Sequence, residues 1–218
     1  MTVTMLARAA RNLVPAMVLA ACGTETPDQP VVSAAETVEP RPEIYAEFEL
    51  TADLSHLSDR QRERIGVLIE ASKIMDDLFW RQAWGDDYEI RLASIDDAAA
   101  RRFAALNYGP WDRLANDSPF LKGVGPKPFG ANFYPPDMSK EEFDAAYLPG
   151  KKGLYSLVRR DNAGDLVLVP YHVAYKDELQ AAASLLREAA DLAEDPQFAT
   201  YLKLRAAALI SDDFQTRD

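Results

Sequence analysis

The sequence predicts a mainly α-helical fold with a small β element, an α+β domain that begins near residue 43. Apolar residues recur at helical spacing over several segments, and residues that favour a helix start precede some of these segments. Two β-prone runs flank a turn-forming tetrapeptide. The chain has 218 residues, of which 48% are hydrophobic and 27% charged, an ordinary composition for one globular domain.

The first 21 residues have the pattern of an export signal. Arg8 and Arg11 precede the apolar run LVPAMVLAA. This run is shorter than the roughly 20 residues that a membrane-spanning helix needs. It ends in Leu19-Ala20-Ala21-Cys22, which resembles the lipobox of bacterial lipoproteins, so we expect cleavage before Cys22 and lipid attachment to it. The alternative is an ordinary cleaved signal with an incidental cysteine.

Residues 22–42 are predicted to form a disordered tether between the lipid and a domain at residues 43–218. Proline recurs in this segment among Thr, Ser, Glu and Asp, and no apolar face is present. We therefore expect a lipid-anchored protein of the bacterial cell envelope that faces the periplasm. Gly23 follows the cysteine. An aspartate at this position would favour the inner membrane, so the glycine favours the outer membrane.

The first half of the domain is predicted to contain one strand and two helices. Ile44–Leu50 alternates apolar and polar residues, which is typical of a short strand. Ser58 and Gln61 form a capping-box pattern, so a helix should run from about Ser58 to Trp84 and end at Gly85. Asp96-Asp97 should begin a shorter helix through Leu106. The strand residues expected to be buried are Ile44, Phe48 and Leu50.

The second half is predicted to contain a hairpin and three helices. Ser139 and Glu142 form another capping-box pattern, which predicts a brief helix before Pro149. The runs 154–160 and 166–169 flank Asp-Asn-Ala-Gly and predict a β-hairpin. A long helix should follow from Tyr171 to about Ala193, and a last one from Gln197 to Ile210.

The segment Gly123–Phe143, GVGPKPFGANFYPPDMSKEEF, connects the two halves. Its glycines and prolines favour an extended, non-helical path. Such linkers normally lack large apolar groups, whereas this one carries several, so we expect a rigid connector that is pressed against the core. The large apolar residues are Phe129, Phe133, Tyr134 and Met138.

Charge and cysteine content exclude several classes of function. The net charge of -11 disfavours a nucleic-acid partner, because phosphate contact requires concentrated Lys and Arg. The basic pairs Arg101-Arg102, Lys151-Lys152 and Arg159-Arg160 lie among acids, and we interpret them as solvated surface. Cys22 is the only cysteine, so an internal disulfide and a cysteine-based metal site are excluded.

The sequence shows no complete catalytic motif. Its two histidines, His56 and His172, are far apart and are predicted to be surface or capping residues, and no His-Glu-x-x-His occurs. Gly-x-Ser-x-Gly and glycine-rich phosphate loops are also missing. Arg187-Glu188 matches part of a Nudix box, but the upstream Glu and Gly of that pattern are not present. We therefore assign no catalytic and no metal-binding residue.

Several segments in the same order resemble the dipeptidyl peptidase III-like zinc peptidases. They are GANFYPPDMSKEEF, NYGPWDRL from Asn107, YSLVRR from Tyr155, and VPY from Val169. The resemblance is to the short bacterial branch and to the peptidase-like half of plant proteins that carry a Nudix domain. It covers roughly residues 43–218, and it implies the helical lobe of a two-lobed enzyme.

The resemblance implies a zinc-dependent peptidase whose metal-binding helix lies later in a much longer chain. We therefore expect this chain to be the N-terminal portion of such an enzyme, truncated or naturally short, without bound zinc and inactive alone. In the full-length enzyme the substrate is a peptide, and Asn132 and Tyr134 of the connector are our candidates for binding it. The alternative is a non-catalytic envelope lipoprotein with a helical domain that binds peptides or proteins.

Overall fold

A computed structural model describes residues 37–214, and its longest helix is α1 (Asp59–Ala83). The predicted capping box is confirmed, because Gln61 N donates to Ser58 Oγ at 3.2 Å and Ser58 N donates to Gln61 Oε1 at 3.1 Å. The helix ends as predicted. Gly85 follows with a φ of 121°, a backbone conformation that side-chain-bearing residues rarely adopt.

Two short helices and a two-residue strand pair follow α1. The helix α2 (Tyr88–Ala93) was not predicted, whereas α3 (Ala98–Asn107) confirms the predicted start, since Ala100 N donates to Asp97 Oδ1 at 2.7 Å. Tyr108 ends α3 in the left-handed conformation, with a φ of 54°. The strand β1 (Trp111–Asp112) then pairs antiparallel with β2 (Ser118–Pro119).

The strand predicted over Ile44–Leu50 is wrong. Pro42–Ile44 form a single 3-10 turn, and the following residues pair with no described strand. Phe48 is 83% exposed and Leu50 is 90% exposed. An alternating run forms a strand only when it hydrogen-bonds to another strand, and neither of the two described sheets includes this segment. The alternating pattern therefore indicates a local preference for extended backbone, but no described strand pairs with this segment.

The residues before this segment are held against α3 and β1 by an ion pair whose acidic member is buried. Arg41 Nη2 lies 2.6 Å from Oδ2 of Asp112, whose side chain is completely buried. Val38 N donates to Pro119 O at 3.0 Å, and the Tyr45 hydroxyl donates to Asn107 Oδ1 at 3.2 Å. Contacts with the folded part thus begin five residues before residue 43.

The predicted hairpin and the helix before it are confirmed. The helix α4 (Lys140–Ala145) starts where Glu142 N donates to Ser139 Oγ at 3.0 Å, although the Glu142 carboxylate binds Arg160 instead of completing a capping box. The strands β3 (Ser156–Arg160) and β4 (Leu166–Pro170) pair antiparallel with Leu157 opposite Val169.

The long helix predicted from Tyr171 is divided in two. The structure has α5 (Tyr171–Ala174) and α6 (Lys176–Asp191), because Tyr175 leaves helical geometry with φ −123° and ψ 36°. Its ring is buried in the core at that point, a tertiary contact that helical periodicity does not report. The last helix, α7 (Pro196–Leu209), confirms the prediction.

The core lies where α6 packs against both α1 and α7 and where the hairpin closes one end. One cluster joins Leu78 of α1, Leu157 of β3, and Tyr175 and Leu179. A second cluster contains the three tryptophans, Trp80, Trp84 and Trp111. The structure is therefore mainly helical with small β elements, which confirms the predicted fold class. Within residues 37–214 no helix combines the length and apolar character needed to cross a bilayer.

Candidate functional site

The largest described cavity lies between the end of α1, the connector and the hairpin. Its volume is about 830 Å³, which is within the range of small-ligand sites. Aromatic, aliphatic, amide and charged side chains all contribute to it. The lining residues are Arg81, Trp84, Gly85, Asp86, Asp87, Arg91, Asn132, Tyr134, Pro135, Pro136, Asp137, Leu157, Arg159, Arg160, Val169, Ala174 and Tyr175.

The connector forms one wall of this cavity. Residues Ala131–Phe133 make a 3-10 turn, and Phe133 packs against the core cluster of Leu78 and Leu157. Phe129, in contrast, is 98% exposed, so the expectation that the whole connector is pressed against the core is wrong at that position. Proline and glycine hold Phe129 in a turn that projects away from the core, which a sequence pattern alone does not distinguish.

Asn132 links the connector to the end of α1. Its Nδ2 donates to Arg81 O at 3.1 Å, a carbonyl at the helix terminus that also accepts from Gly85 N at 3.0 Å. Its Oδ1 accepts no hydrogen bond from any residue in the described range. Asn132 therefore presents an acceptor at the cavity while its amide nitrogen fixes its position.

Tyr134 is positioned by two close neighbours. Its ring makes an edge-on contact with Phe143, with the ring centroids 5.8 Å apart. On the other side it lies directly against Gly130, where a Cβ atom would come within 2.3 Å of Tyr134 Cδ2. Only glycine leaves room for the ring in this place. The structure thus brings together both residues that the sequence singled out, and their role in binding stays a prediction.

Arginine and acidic side chains cross-link the cavity walls. Arg81 of α1 binds Glu178 of α6 and lies 3.0 Å from Asp86 Oδ1. Arg160 of the hairpin lies 2.8 Å from Asp137 Oδ2 and binds both carboxylate oxygens of Glu142, at 2.7 and 2.9 Å. These pairs join elements that are distant in sequence, so they fix the shape of the cavity.

The charged state of the Arg81–Glu178 pair follows from its environment. Burial opposes the charge of Arg81, but hydrogen bonds to Glu178 and Asp86 raise its pKa above the ordinary value. Burial also opposes the charge of Glu178, whereas the hydrogen bond from Arg81 lowers the pKa of Glu178 below the ordinary value. Both groups are therefore charged at neutral pH.

Two tyrosines near the cavity remain protonated. Burial raises the pKa of Tyr171 to about 12 and also raises the pKa of Tyr175. Tyr175 is further covered by the Arg81 guanidinium, which lies 5.6 Å from the ring centroid. Both hydroxyl groups are therefore protonated at neutral pH.

The basic pair Arg159-Arg160 corrects the interpretation of solvated surface. Both residues line the cavity and are only partly exposed. Arg159 Nη1 donates to Phe133 O at 3.3 Å, between the two predicted connector residues, and to Val158 O at 2.8 Å. Sequence alone did not show that the end of strand β3 borders a cavity.

The described residues do not fit a metal site. No group of three or more His, Cys, Asp or Glu side chains within residues 37–214 has a geometry that could hold a metal ion. His172 Nδ1 lies 2.7 Å from Asp212 Oδ2. His56 lies just before α1 and is far from His172 in the sequence. Cys22 lies outside the described residues.

A second concave surface is apolar. It lies between α1, α6 and α7, with a volume of about 480 Å³. Most of its lining is aliphatic or aromatic, including Leu68, Met75, Leu186, Phe198 and Leu202. Its polar side chains are Ser72, Tyr201 and Arg205.

Comparison with known proteins gives one sequence relative and two solved structures. The chain is 28% identical to Nudix hydrolase 3 of Arabidopsis thaliana, in an alignment that covers 80% of this chain and 30% of the plant protein. It matches the structure of DPP III from Caldithrix abyssi with a TM-score of 0.74 and 37% identity, over 80% of this chain and 35% of that one. It matches dipeptidyl-peptidase III from Corallococcus sp. strain EGB with a TM-score of 0.71 and 35% identity, over 78% and 34%.

These findings confirm the resemblance to dipeptidyl peptidase III in both sequence and fold. The chain spans about a third of the length of the relatives it matches. No family model matches the chain.

Proposed function

We propose that this chain forms the peptide-binding part of a zinc-dependent hydrolase resembling dipeptidyl peptidase III. The single observation that carries the proposal is the cavity of about 830 Å³ in a fold that matches dipeptidyl peptidase III structures at 37% and 35% identity. Its polar groups include the Asn132 amide oxygen and tyrosine hydroxyls, which complement the N–H and C=O groups of a peptide.

In this proposal Asn132 and Tyr134 hold the substrate. The Asn132 Oδ1 accepts a hydrogen bond from a peptide N–H, because its Nδ2 is already engaged by Arg81 O. The Tyr134 ring offers an apolar face that Gly130 and Phe143 hold in place. In this proposal, the metal ligands that the resemblance implies come from a later part of such an enzyme.

The test is direct binding of a short peptide to the purified full chain. Tetra-alanine titrated against the wild type should give a saturable isotherm, and Asn132→Ala and Tyr134→Ala should each weaken binding by about tenfold. Asn162→Ala is a matched control, since Asn162 is exposed in the hairpin turn and does not line this cavity. Equal affinities for all four proteins, with folding verified by circular dichroism, would contradict the proposal.

A further expectation is that the chain alone binds peptides without cleaving them. Zinc content measured by mass spectrometry should be far below one ion per chain, and a dipeptidyl naphthylamide substrate should not be hydrolysed. Stoichiometric zinc or unaided hydrolysis would show that the metal site lies in this chain after all.

The non-catalytic alternative is favoured by one observation, the apolar surface between α1, α6 and α7. A helical lipoprotein that binds another envelope protein would use such a surface, because apolar patches of this kind mark contact sites. Pull-down of an envelope partner that Leu186→Asp abolishes, with tetra-alanine binding undetectable, would decide for this alternative.

We also propose that Cys22 carries the lipid and anchors the protein in the outer membrane, facing the periplasm. The support is the sequence alone: an apolar run that follows two arginines and ends in the only cysteine of the chain. Mass spectrometry of the mature protein should show a lipid-modified N-terminal cysteine, and Cys22→Ala should release the protein from the membrane fraction. Recovery of unmodified Cys22 within a cleaved, soluble protein would contradict the proposal.

A further inference from the structure

Arg159 differs from the other arginines of the cavity in having no acidic partner. Arg81 pairs with Glu178 and Asp86, Arg91 Nε lies 2.8 Å from Asp87 Oδ1, and Arg160 pairs with Asp137 and Glu142. Among residues 37–214, Arg159 forms no ion pair and donates only to backbone carbonyls.

The Arg159 guanidinium is nevertheless held in a fixed position. It extends from strand β3, where Leu157 and Val158 are buried, and Nη1 donates to Val158 O at 2.8 Å and Phe133 O at 3.3 Å. Nε and Nη2 donate to no group in the described range. The guanidinium is thus anchored through Nη1, and its Nε and Nη2 remain available as donors on the cavity side.

The chemistry of this arrangement selects an anion with two acceptor oxygens. A guanidinium presents its donors in a planar fork that matches a carboxylate, and such charge-assisted bonds are shorter and stronger than neutral ones. The acids that line the cavity, Asp86, Asp87 and Asp137, are already engaged by the other arginines. None of these three acids is therefore the partner of Arg159.

We infer that Arg159 binds a carboxylate group of the ligand in this cavity. This inference rests on the proposed peptide-binding function. The carboxylate is either the C-terminus of a short peptide or an acidic side chain. Asn132 and Arg159 flank Phe133, one as an acceptor and the other as a donor, and so would bind a peptide N–H and a peptide carboxylate in neighbouring positions.

The first experiment compares three peptides on the purified full chain by isothermal titration calorimetry. They are tetra-alanine with a free C-terminus, tetra-alanine amide, and Ala-Ala-Glu-Ala amide. The wild type should bind the free acid about tenfold or more tightly than the amide. Recovery of affinity by the glutamate peptide identifies a side-chain carboxylate as sufficient, and no recovery identifies the C-terminus.

The matched variants are Arg159→Met and Arg91→Met. Each removes one positive charge from the cavity lining, so a long-range electrostatic effect would be similar in both. Arg159→Met should abolish the preference for the free acid, whereas Arg91→Met should retain it. Equal behaviour of the two variants, or a wild type that does not distinguish acid from amide, would overturn the inference.

A second measurement separates this inference from the proposed function. In the wild type labelled with [15N]arginine, sodium acetate should shift the Nε–H signal that disappears in Arg159→Met, and sodium chloride should not. An acetate-dependent shift without binding of any peptide would leave the carboxylate site standing and refute the peptide-binding function. Peptide binding that is insensitive to the terminal carboxylate, without an acetate shift, would leave the function standing and refute the role of Arg159.

Discussion

Replacing Gly130 by alanine should displace Tyr134 from the cavity wall. Gly130 has a φ of 75°, and a Cβ built there would lie 2.3 Å from Tyr134 Cδ2 and 2.6 Å from Cε2. Ordinary van der Waals contact begins near 3.4 Å, so the ring has to move by about 1 Å, and a displacement of that size can cost up to about a hundredfold in a positioned interaction. The left-handed backbone adds about 1 to 2 kcal/mol of strain for any residue with a side chain.

Gly123→Ala separates the two effects. Gly123 lies in the same connector with a φ of 83°, but a Cβ there would meet nothing within 4 Å. Both variants should lose about 1 to 2 kcal/mol of unfolding free energy in urea titrations because of the backbone strain. Only Gly130→Ala should also weaken binding of tetra-alanine, by about tenfold or more. If the two variants bind the peptide equally well, the steric argument for the placement of Tyr134 is refuted.

Three further predictions concern the framework around the cavity. Arg41→Met should lower the unfolding free energy by about 2 to 4 kcal/mol, since it leaves the fully buried Asp112 carboxylate without its partner, and the double variant with Asp112→Asn should recover part of the loss. Lys151→Met should cost about 1 to 2 kcal/mol in urea titrations, because the Lys151 ammonium donates to three carbonyls at the end of α4, whereas the exposed Lys152→Met should be nearly neutral. The hydrogen bond from Arg160 lowers the pKa of Glu142 below its ordinary value of 4.5. The ionised Glu142 carboxylate therefore stabilises the fold above pH 4.5, and this stabilisation is lost as the pH falls through the lowered pKa. Glu142→Gln should reduce the corresponding fall of the urea midpoint at acid pH.

Local chemistry made the helix starts predictable. Ser58, Asp97 and Ser139 each accept a hydrogen bond from the backbone N–H three residues later. Such caps depend on neighbouring residues only, and the same holds for the turn of the hairpin, where Asp161 Oδ1 accepts from Ala163 N at 2.8 Å. The sequence therefore contains the information directly.

Features that depend on distant partners were not predictable in this way. The run Ile44–Leu50 has strand-like alternation but no strand beside it, and Tyr175 interrupts a helix at a point where its ring enters the core. The cavity is also a tertiary feature, because Arg159 reaches it only through the contact between β3 and Phe133, 26 residues earlier in the chain. The sequence around the Arg159-Arg160 pair does not indicate such a contact.

Ion pairs link the elements that form the cavity walls. Arg81 of α1 binds Glu178 of α6, and Arg160 of β3 binds Asp137 of the connector and Glu142 of α4. The acids near these arginines are therefore already engaged. Arg159 is anchored by carbonyls, which fix its position without neutralising its charge. Among the arginines that line the cavity, Arg159 is therefore the one that no described carboxylate neutralises.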